Sequence, residues 1–167
     1  MHKSTPLPAR RGTARETPAE TTPRGCTNLK LRQLTRRVSQ HYDRIVGVAG
    51  LKTTQYSLLS YVVQLGPVRP SDLAAHMEMD ASTLTRNLRP MAAQGWVEVG
   101  AGDDARSRLV TATESGRAKR AEAQREWKRA QLALNERLGT AKVAQLHQLL
   151  GECLVLMSDS SGDQDHE

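Results

Sequence analysis

From Asn28 onward, Leu31, Leu34, Val38, Tyr42 and Ile45 recur at steps of three and four, which predicts an amphipathic helix ending near Gly47 and Gly50. A second helix is predicted from about Thr54 to Gln64, with Tyr56, Leu59, Val62 and Val63 facing inward and Gly66-Pro67 stopping it. Pro70 suits the first position of a third helix, "SDLAAHM", where Asp72 puts negative charge in the first turn and the small Ala74 and Ala75 permit a close neighbour. After about three residues Asp80 offers an N-cap for a fourth helix, which stops by Gly95.

In that fourth helix, at about 100° per residue, Ser82, Thr85, Arg86 and Arg89 share one narrow arc, while Leu84, Leu88 and Met91 lie opposite. One face packs and the other stays polar and cationic. Solvated helix faces usually mix Glu with Lys in i,i+4 pairs, yet no acid follows Asp80 here. Two short helices joined by a tight turn, the second polar on its outer side, predict a helix-turn-helix.

The pattern then changes period. "WVEV", Trp96 to Val99, alternates as a strand does, "GAGDDARSR" is rich in turn residues, and "LVTAT", Leu109 to Thr113, is β-branched, so a two-stranded hairpin is expected. Helical periodicity returns over about Glu114 to Leu138 and Ala141 to Met157. Leu132, Leu134, Leu138, Val143, Leu146, Leu149, Leu150, Leu154 and Leu156 are many apolar residues for a chain with few other elements to cover them. Spare apolar faces at both ends predict a homodimer. The fold class is therefore mainly α with a small antiparallel β wing: a winged helix-turn-helix whose N- and C-terminal helices form a dimerisation region.

Composition narrows the partners. The 167 residues carry a formal charge of +6 with a pI near 9.7, which favours nucleic acid, an anionic membrane surface or an acidic protein. Lys3, Arg10, Arg11, Arg15 and Arg24 outweigh Glu16 and Glu20 at one end, and Asp159, Asp163, Asp165 and Glu167 cluster at the other. Residues 1–26 read as a flexible basic tail rather than a signal or transit peptide, because Pro6, Pro8, Pro18 and Pro23 oppose a helix and no apolar segment follows. Residues 158–167 read as an acidic tail. No run reaches the roughly 18 apolar residues of a membrane span, so the cytoplasm is the expected compartment. Cys26 and Cys153 are too few for a disulfide scaffold, and His41, His76 and His147 lack metal-ligand spacing, so neither metal nor cofactor is expected. Without a nucleophile motif, a phosphate loop or paired carboxylates, an enzyme is not expected.

Three stretches, "LKTTQYSLL", "LAAHMEMDASTLTRNLRPMAAQGWVEV" and "DDARSRLVTATESG", occur in the order and spacing of the second helix, recognition unit and wing of the MarR family of winged-helix transcription regulators. The resemblance covers residues 27–157. It implies a DNA-binding lobe over about 54–113 and dimerisation helices over 27–50 and 114–157. Ser82, Thr83, Thr85, Arg86 and Arg89 would then reach bases and phosphates of double-stranded DNA at a pseudo-palindromic site. Arg106 and Arg108 would belong to the wing, with Arg106 entering the minor groove and Asp104 fixing it. Two departures stand out: Lys52 replaces the Thr that many members place before the second helix, which shifts the expected cap to Thr53, and Pro90 predicts a kink. The resemblance also implies a repressor released by a small aromatic or phenolic anion. Tyr42, Tyr56 and Trp127 are candidate walls for that anion, and Arg37 or His41 a candidate partner for its carboxylate. His41 also reads as a packed core histidine, and Trp96 as core. Two further readings stay open: an oxidation-sensing regulator using Cys26 with Cys153 as a second thiol, and a winged helix used only for protein contacts.

Overall fold

The computed structural model describes residues 24–102 and 108–158. Helix α1 spans Thr27–Val46 and passes through a 3-10 turn, Gly47–Ala49, into α2, Thr53–Leu65. Helices α3, Pro70–His76, and α4, Ala81–Ala93, form the helix-turn-helix, and strands β1, Val97–Ala101, and β2, Arg108–Ala112, form the wing. Helices α5, Glu114–Leu138, and α6, Thr140–Ser158, complete the chain.

Both helices of the helix-turn-helix end in Schellman motifs, which satisfy carbonyls left open at a helix end. At the end of α4 the Trp96 N–H reaches the Met91 carbonyl and the Gly95 N–H the Ala92 carbonyl, with Gly95 at φ 70°. The end of α3 repeats this with Met79 to Ala74 and Glu78 to Ala75, but Glu78 takes the left-handed position, φ 50°, where glycine is usual. Helix α4 continues through Pro90 to Ala93.

At the start of α2 the cap differs from the sequence expectation. Lys52, not Thr53, is the N-cap residue, and its N–H donates to Gln55 Oε1 at 2.9 Å. Both the N–H and the hydroxyl of Thr53 donate to Asp43 Oδ1 from α1, at 2.8 and 2.7 Å. The capping group is thus a carboxylate ten residues away in sequence, which local spacing does not reveal.

Two apolar clusters hold the molecule together. The first joins Leu58, Leu59 and Val62 of α2 to Leu73 of α3, Leu84, Leu88 and Met91 of α4, and Val97 and Val110 of the wing. The second joins Val46, Ala49 and Leu51 to Tyr56 of α2 and Ala123 of α5. Lying between them, α2 buries Leu58 beside the expected Leu59 and Val62, and leaves Val63 only partly covered. Trp96 packs against both clusters. The wing strands pair antiparallel from Val97 with Ala112 to Ala101 with Arg108, and Val68 adds a two-hydrogen-bond bridge to Val110. That bridge ties the segment before α3 to β2.

The wing returns to α5 through a close junction. Thr113 caps α5 by accepting from the Gly116 N–H at 3.0 Å, and its own hydroxyl donates to the Gly95 carbonyl at 2.6 Å. Ser115 donates to that same carbonyl at 2.8 Å, and the Thr113 N–H reaches the Trp96 carbonyl at 3.2 Å. A Cβ on Gly116 would lie 1.9 Å from the Trp96 carbonyl oxygen. Because that obstacle is backbone, Gly116→Ala should force α5 away from the end of α4. The expected loss is about 1–3 kcal/mol of folding stability, as for overpacked cores, read from urea unfolding; a native midpoint would show that α5 does not need this approach.

Candidate nucleic-acid interface

The exposed side of α4 is held by one carboxylate. Asp80 takes the Thr83 N–H on Oδ1 at 2.8 Å, the Ser82 hydroxyl on the same oxygen at 2.6 Å, and the Thr83 hydroxyl on Oδ2 at 2.7 Å. These donors, led by the two hydroxyls, hold the Asp80 carboxyl well below the usual carboxylate range. Thr83 Oγ1 in turn accepts from Arg86 Nη2 at 3.1 Å, and Arg86 Nε leans on the Ser82 carbonyl at 3.4 Å. Thr85 donates back to the Ala81 carbonyl at 2.8 Å.

Ser82, Thr85, Arg86 and Arg89 are exposed together, as their spacing predicts, and Thr83 is half-buried at their flank. Neither Arg86 nor Arg89 makes an ion pair among the described residues. Arg108 is exposed at the first position of β2, paired in register with Ala101. Arg106 and Asp104 lie outside the described residues.

The residues expected around an effector fall into two groups. Arg37 and His41 line a groove of about 880 Å³ between α1 and the end of α5, together with Leu34, Arg44, Leu134 and Arg137. Sequence reading missed Arg44 and Arg137. Arg44 follows Arg37 and His41 at steps of four and three, a signal that was available, whereas Arg137 arrives only through the packing of α5 on α1. His41 is buried, and its Nε2 donates to the Ala130 carbonyl at 2.9 Å, because a carbonyl only accepts. The aromatic candidates gather elsewhere. Trp127 stacks on Tyr56 with ring centroids 6.1 Å apart and lies 6.4 Å from Tyr42, whose hydroxyl donates to Gln131. Tyr42 borders a second, apolar groove of about 270 Å³ among α1, α5 and α6, and burial raises its phenol pKa. Tyr56 and Trp127 line neither groove. Cys26, the N-cap residue of α1, and Cys153 on α6 are both exposed free thiols.

Helix-turn-helix, wing and flanking long helices define a winged helix-turn-helix protein. A model of the MarR family matches residues 49–107. The Mycobacterium tuberculosis transcriptional regulator MOSR, solved in complex with DNA, is 34% identical over 77% of this chain and 98% of its own, with a TM-score of 0.63. A probable transcriptional regulator from Pseudomonas aeruginosa shares the fold at 24% identity and a TM-score of 0.70, covering 76% of this chain and 96% of its own. The Bacillus subtilis HTH-type regulator YwoH is 26% identical over 90 residues, 54% of this chain and 66% of that protein. The chain belongs to the MarR family of transcription regulators, which makes it a regulator rather than an enzyme. Among the described residues no helix is long and apolar enough to cross a membrane, and no group of three or more His, Cys, Asp or Glu side chains is placed to hold a metal ion.

The depressed Asp80 carboxyl gives a pH test. A carboxyl whose pKa is lowered by folding stabilises the fold above its unfolded pKa and loses that contribution as pH falls through the folded value. Asp80→Ala should therefore melt below the native chain at neutral pH, and the gap should narrow as the solution is acidified beyond the ordinary carboxylate range. A gap that stays constant into strong acid would show that the charge contributes nothing.

Proposed function

We propose that this regulator is a homodimeric repressor that reads a pseudo-palindromic DNA site with α4 and is released by a small aromatic or phenolic anion, working in the cytoplasm. The observation that carries the DNA reading is the exposed Ser82, Thr85, Arg86, Arg89 face, with no acid after the capping Asp80, on a helix whose other side, Leu84, Leu88 and Met91, is buried. In the reading proposed here α4 enters the major groove, where Arg grips guanine O6 and N7 with paired hydrogen bonds. Arg106 and Arg108 of the wing follow the adjacent minor groove and backbone. Residues 54–113 form the DNA-binding lobe, 27–50 and 114–157 the dimerisation helices, and 1–26 and 158–167 tails. MOSR, solved with DNA, supports the assignment of partner.

Dimerisation is argued from what α6 leaves uncovered. Of its 19 residues only Val143 is buried, while Leu149, Leu154, Val155 and Met157 are exposed, as are Leu29 and Leu31 of α1. A second copy laying the same helices on this surface removes that area from water. Two recognition helices about one DNA turn apart then require half-site centres roughly 10 base pairs apart or a multiple of it.

The effector reading rests on the groove holding Arg37, His41, Arg44 and Arg137, in which a guanidinium meets a carboxylate with two hydrogen bonds. Of the aromatic candidates, Tyr42 lies edge-on to His41 with ring centroids 5.7 Å apart, while the Tyr56 and Trp127 stack lies outside this groove. A ligand shifts DNA binding only by favouring one arrangement of the recognition helices. The exposed thiols of Cys26 and Cys153 favour an alternative in which oxidation replaces the ligand; there peroxide releases DNA and Cys26→Ser abolishes the response.

Binding to a footprinted operator should fall steeply with salt, as phosphate contacts demand. Arg86→Ala should cost about 1–3 kcal/mol and relax preference at one base position. A monomer in solution covering a single half-site would reject the dimer, and salt-independent binding would favour a winged helix used for protein contacts.

A salicylate-like anion should bind the free dimer more tightly than the operator complex, and Arg37→Ala should weaken it. A tenfold difference corresponds to about 1.4 kcal/mol of coupling. Calorimetry returning the same affinity with and without operator would remove the anion from the mechanism.

A further inference from the structure

We infer that Asp80 is a positioning residue that sets the donor and acceptor pattern of the α4 face: it takes the protons of Ser82 and Thr83, so that Thr83 holds the Arg86 guanidinium and Ser82 meets DNA as an acceptor. This rests on the reading of α4 as the DNA-reading helix. A carboxylate only accepts hydrogen bonds, and a hydroxyl has one proton to give. With Ser82 Oγ 2.6 Å and Thr83 Oγ1 2.7 Å from the two Asp80 oxygens, both protons are committed within the protein. Thr83 Oγ1 then has lone pairs only, and one of them receives Arg86 Nη2 at 3.1 Å. Arg86 Nε, directed at the Ser82 carbonyl, holds the same Nε–Nη2 edge of the guanidinium and leaves the Nη1–Nη2 end free.

The consequence for recognition is specific. Arg86 keeps its Nη1 protons and one Nη2 proton for guanine O6 and N7, and its side chain is oriented before DNA arrives. Ser82, having no proton left, cannot donate to a phosphate. It suits the amino groups of adenine N6 or cytosine N4. Thr85, whose proton goes to the Ala81 carbonyl, presents an acceptor in the same way. A negative charge on this face would ordinarily repel the phosphate backbone, but the three donors converging on Asp80 spread that charge along the helix start.

The relay can be separated from the cap. Asn is as good an N-cap as Asp, so Asp80→Asn keeps an oxygen for the Thr83 N–H while turning the other acceptor into an NH2 donor. That NH2 would donate to Thr83 Oγ1 and turn the Thr83 proton toward Arg86, donor against donor. Thr83→Val deletes the relay oxygen and leaves Asp80 capping the backbone, whereas Thr83→Ser retains it.

The test is fluorescence anisotropy on the footprinted operator and on duplexes substituted at the base pair whose preference Arg86→Ala abolishes. Thr83→Val should melt close to the native temperature and Asp80→Asn below it, by the share of stability that the carboxylate charge carries, and both should lose about tenfold, 1.4 kcal/mol, in discrimination at that pair. Asp80→Asn should bind unrelated DNA at least as tightly as the native chain, since a negative charge is gone, and Thr83→Ser should discriminate like the native chain. If Asp80→Asn and Thr83→Val discriminate fully while Arg86→Ala does not, Asp80 is a cap and nothing more, and the inference falls. If Arg86→Ala itself discriminates like the native chain, α4 is not the reading helix, and the proposed function fails first.

Discussion

The contact on which the arrangement depends is the approach of α5 to the backbone of Trp96. Gly116 must be glycine there because the Trp96 carbonyl occupies the space of any Cβ. The adjacent Gly95 carbonyl gathers the Thr113 and Ser115 hydroxyls. The segment just after α4 is thereby fixed to the N-terminal end of α5 through the Gly95 and Trp96 main-chain carbonyls, held by two short hydroxyl side chains and the Thr113 N–H. Trp96 reinforces the joint from the other side, since its ring packs against both apolar clusters and lies 5.9 Å beneath the Lys119 ammonium. Lys119 also donates to the Ala49 carbonyl at 3.1 Å and so brings the turn after α1 to the same point.

A rigid joint at one end of a long helix makes the other end matter. The Arg37 and His41 groove contacts α5 at Leu134 and Arg137, some 20 residues beyond Gly116, or roughly 30 Å at the 1.5 Å rise of an α-helix. A small tilt of α5 imposed at the groove would be carried to α4, because the junction leaves α4 little freedom to lag behind. His41 clasps the Ala130 carbonyl midway along this lever. On the proposed effector reading, an anion that competed for the imidazole, or for the arginines beside it, would act on the packing of α1 against α5 and not merely on local charge.

Much of this was legible in the sequence, for reasons that differ by element. The bounds and buried face of α4 could be read because its cap, its apolar stripe and its terminating glycine are local signals that agree, while the helix runs on through Pro90. The wing strands were visible from alternation and β-branching. What escaped were contacts that only the tertiary path creates: Asp43 capping Thr53, Val68 bridging Val110, and Gly116 against Trp96. Leu58 escaped too, because a helix lying between two clusters buries more than one stripe and so departs from single-face periodicity. For the candidate effector residues, periodicity placed Arg37 and His41 together, but it had no means of separating them from the Tyr56 and Trp127 stack, which closes on itself within the second cluster.

Charge is held differently on α5 and on α4. On α5, Lys119 pairs with Glu122 and Arg129 with Glu126, Arg120 donates to the neutral Gln124, and Arg117, Arg125, Lys128 and Arg137 make no ion pair among the described residues. These exposed or half-exposed pairs contribute little to stability. On α4 and at the start of β2 the arginines have no acid partner among the described residues, and Asp80, which caps α4, is engaged by hydroxyl and backbone donors. Salt screens charge on exposed surfaces over about 8–10 Å, so a net cationic face acts on a polyanion only at close range. On the proposed reading, Arg86 and Arg89 on one face of α4 would reach such a polyanion together, with the capping carboxylate of Asp80 turned to hydroxyl and backbone donors.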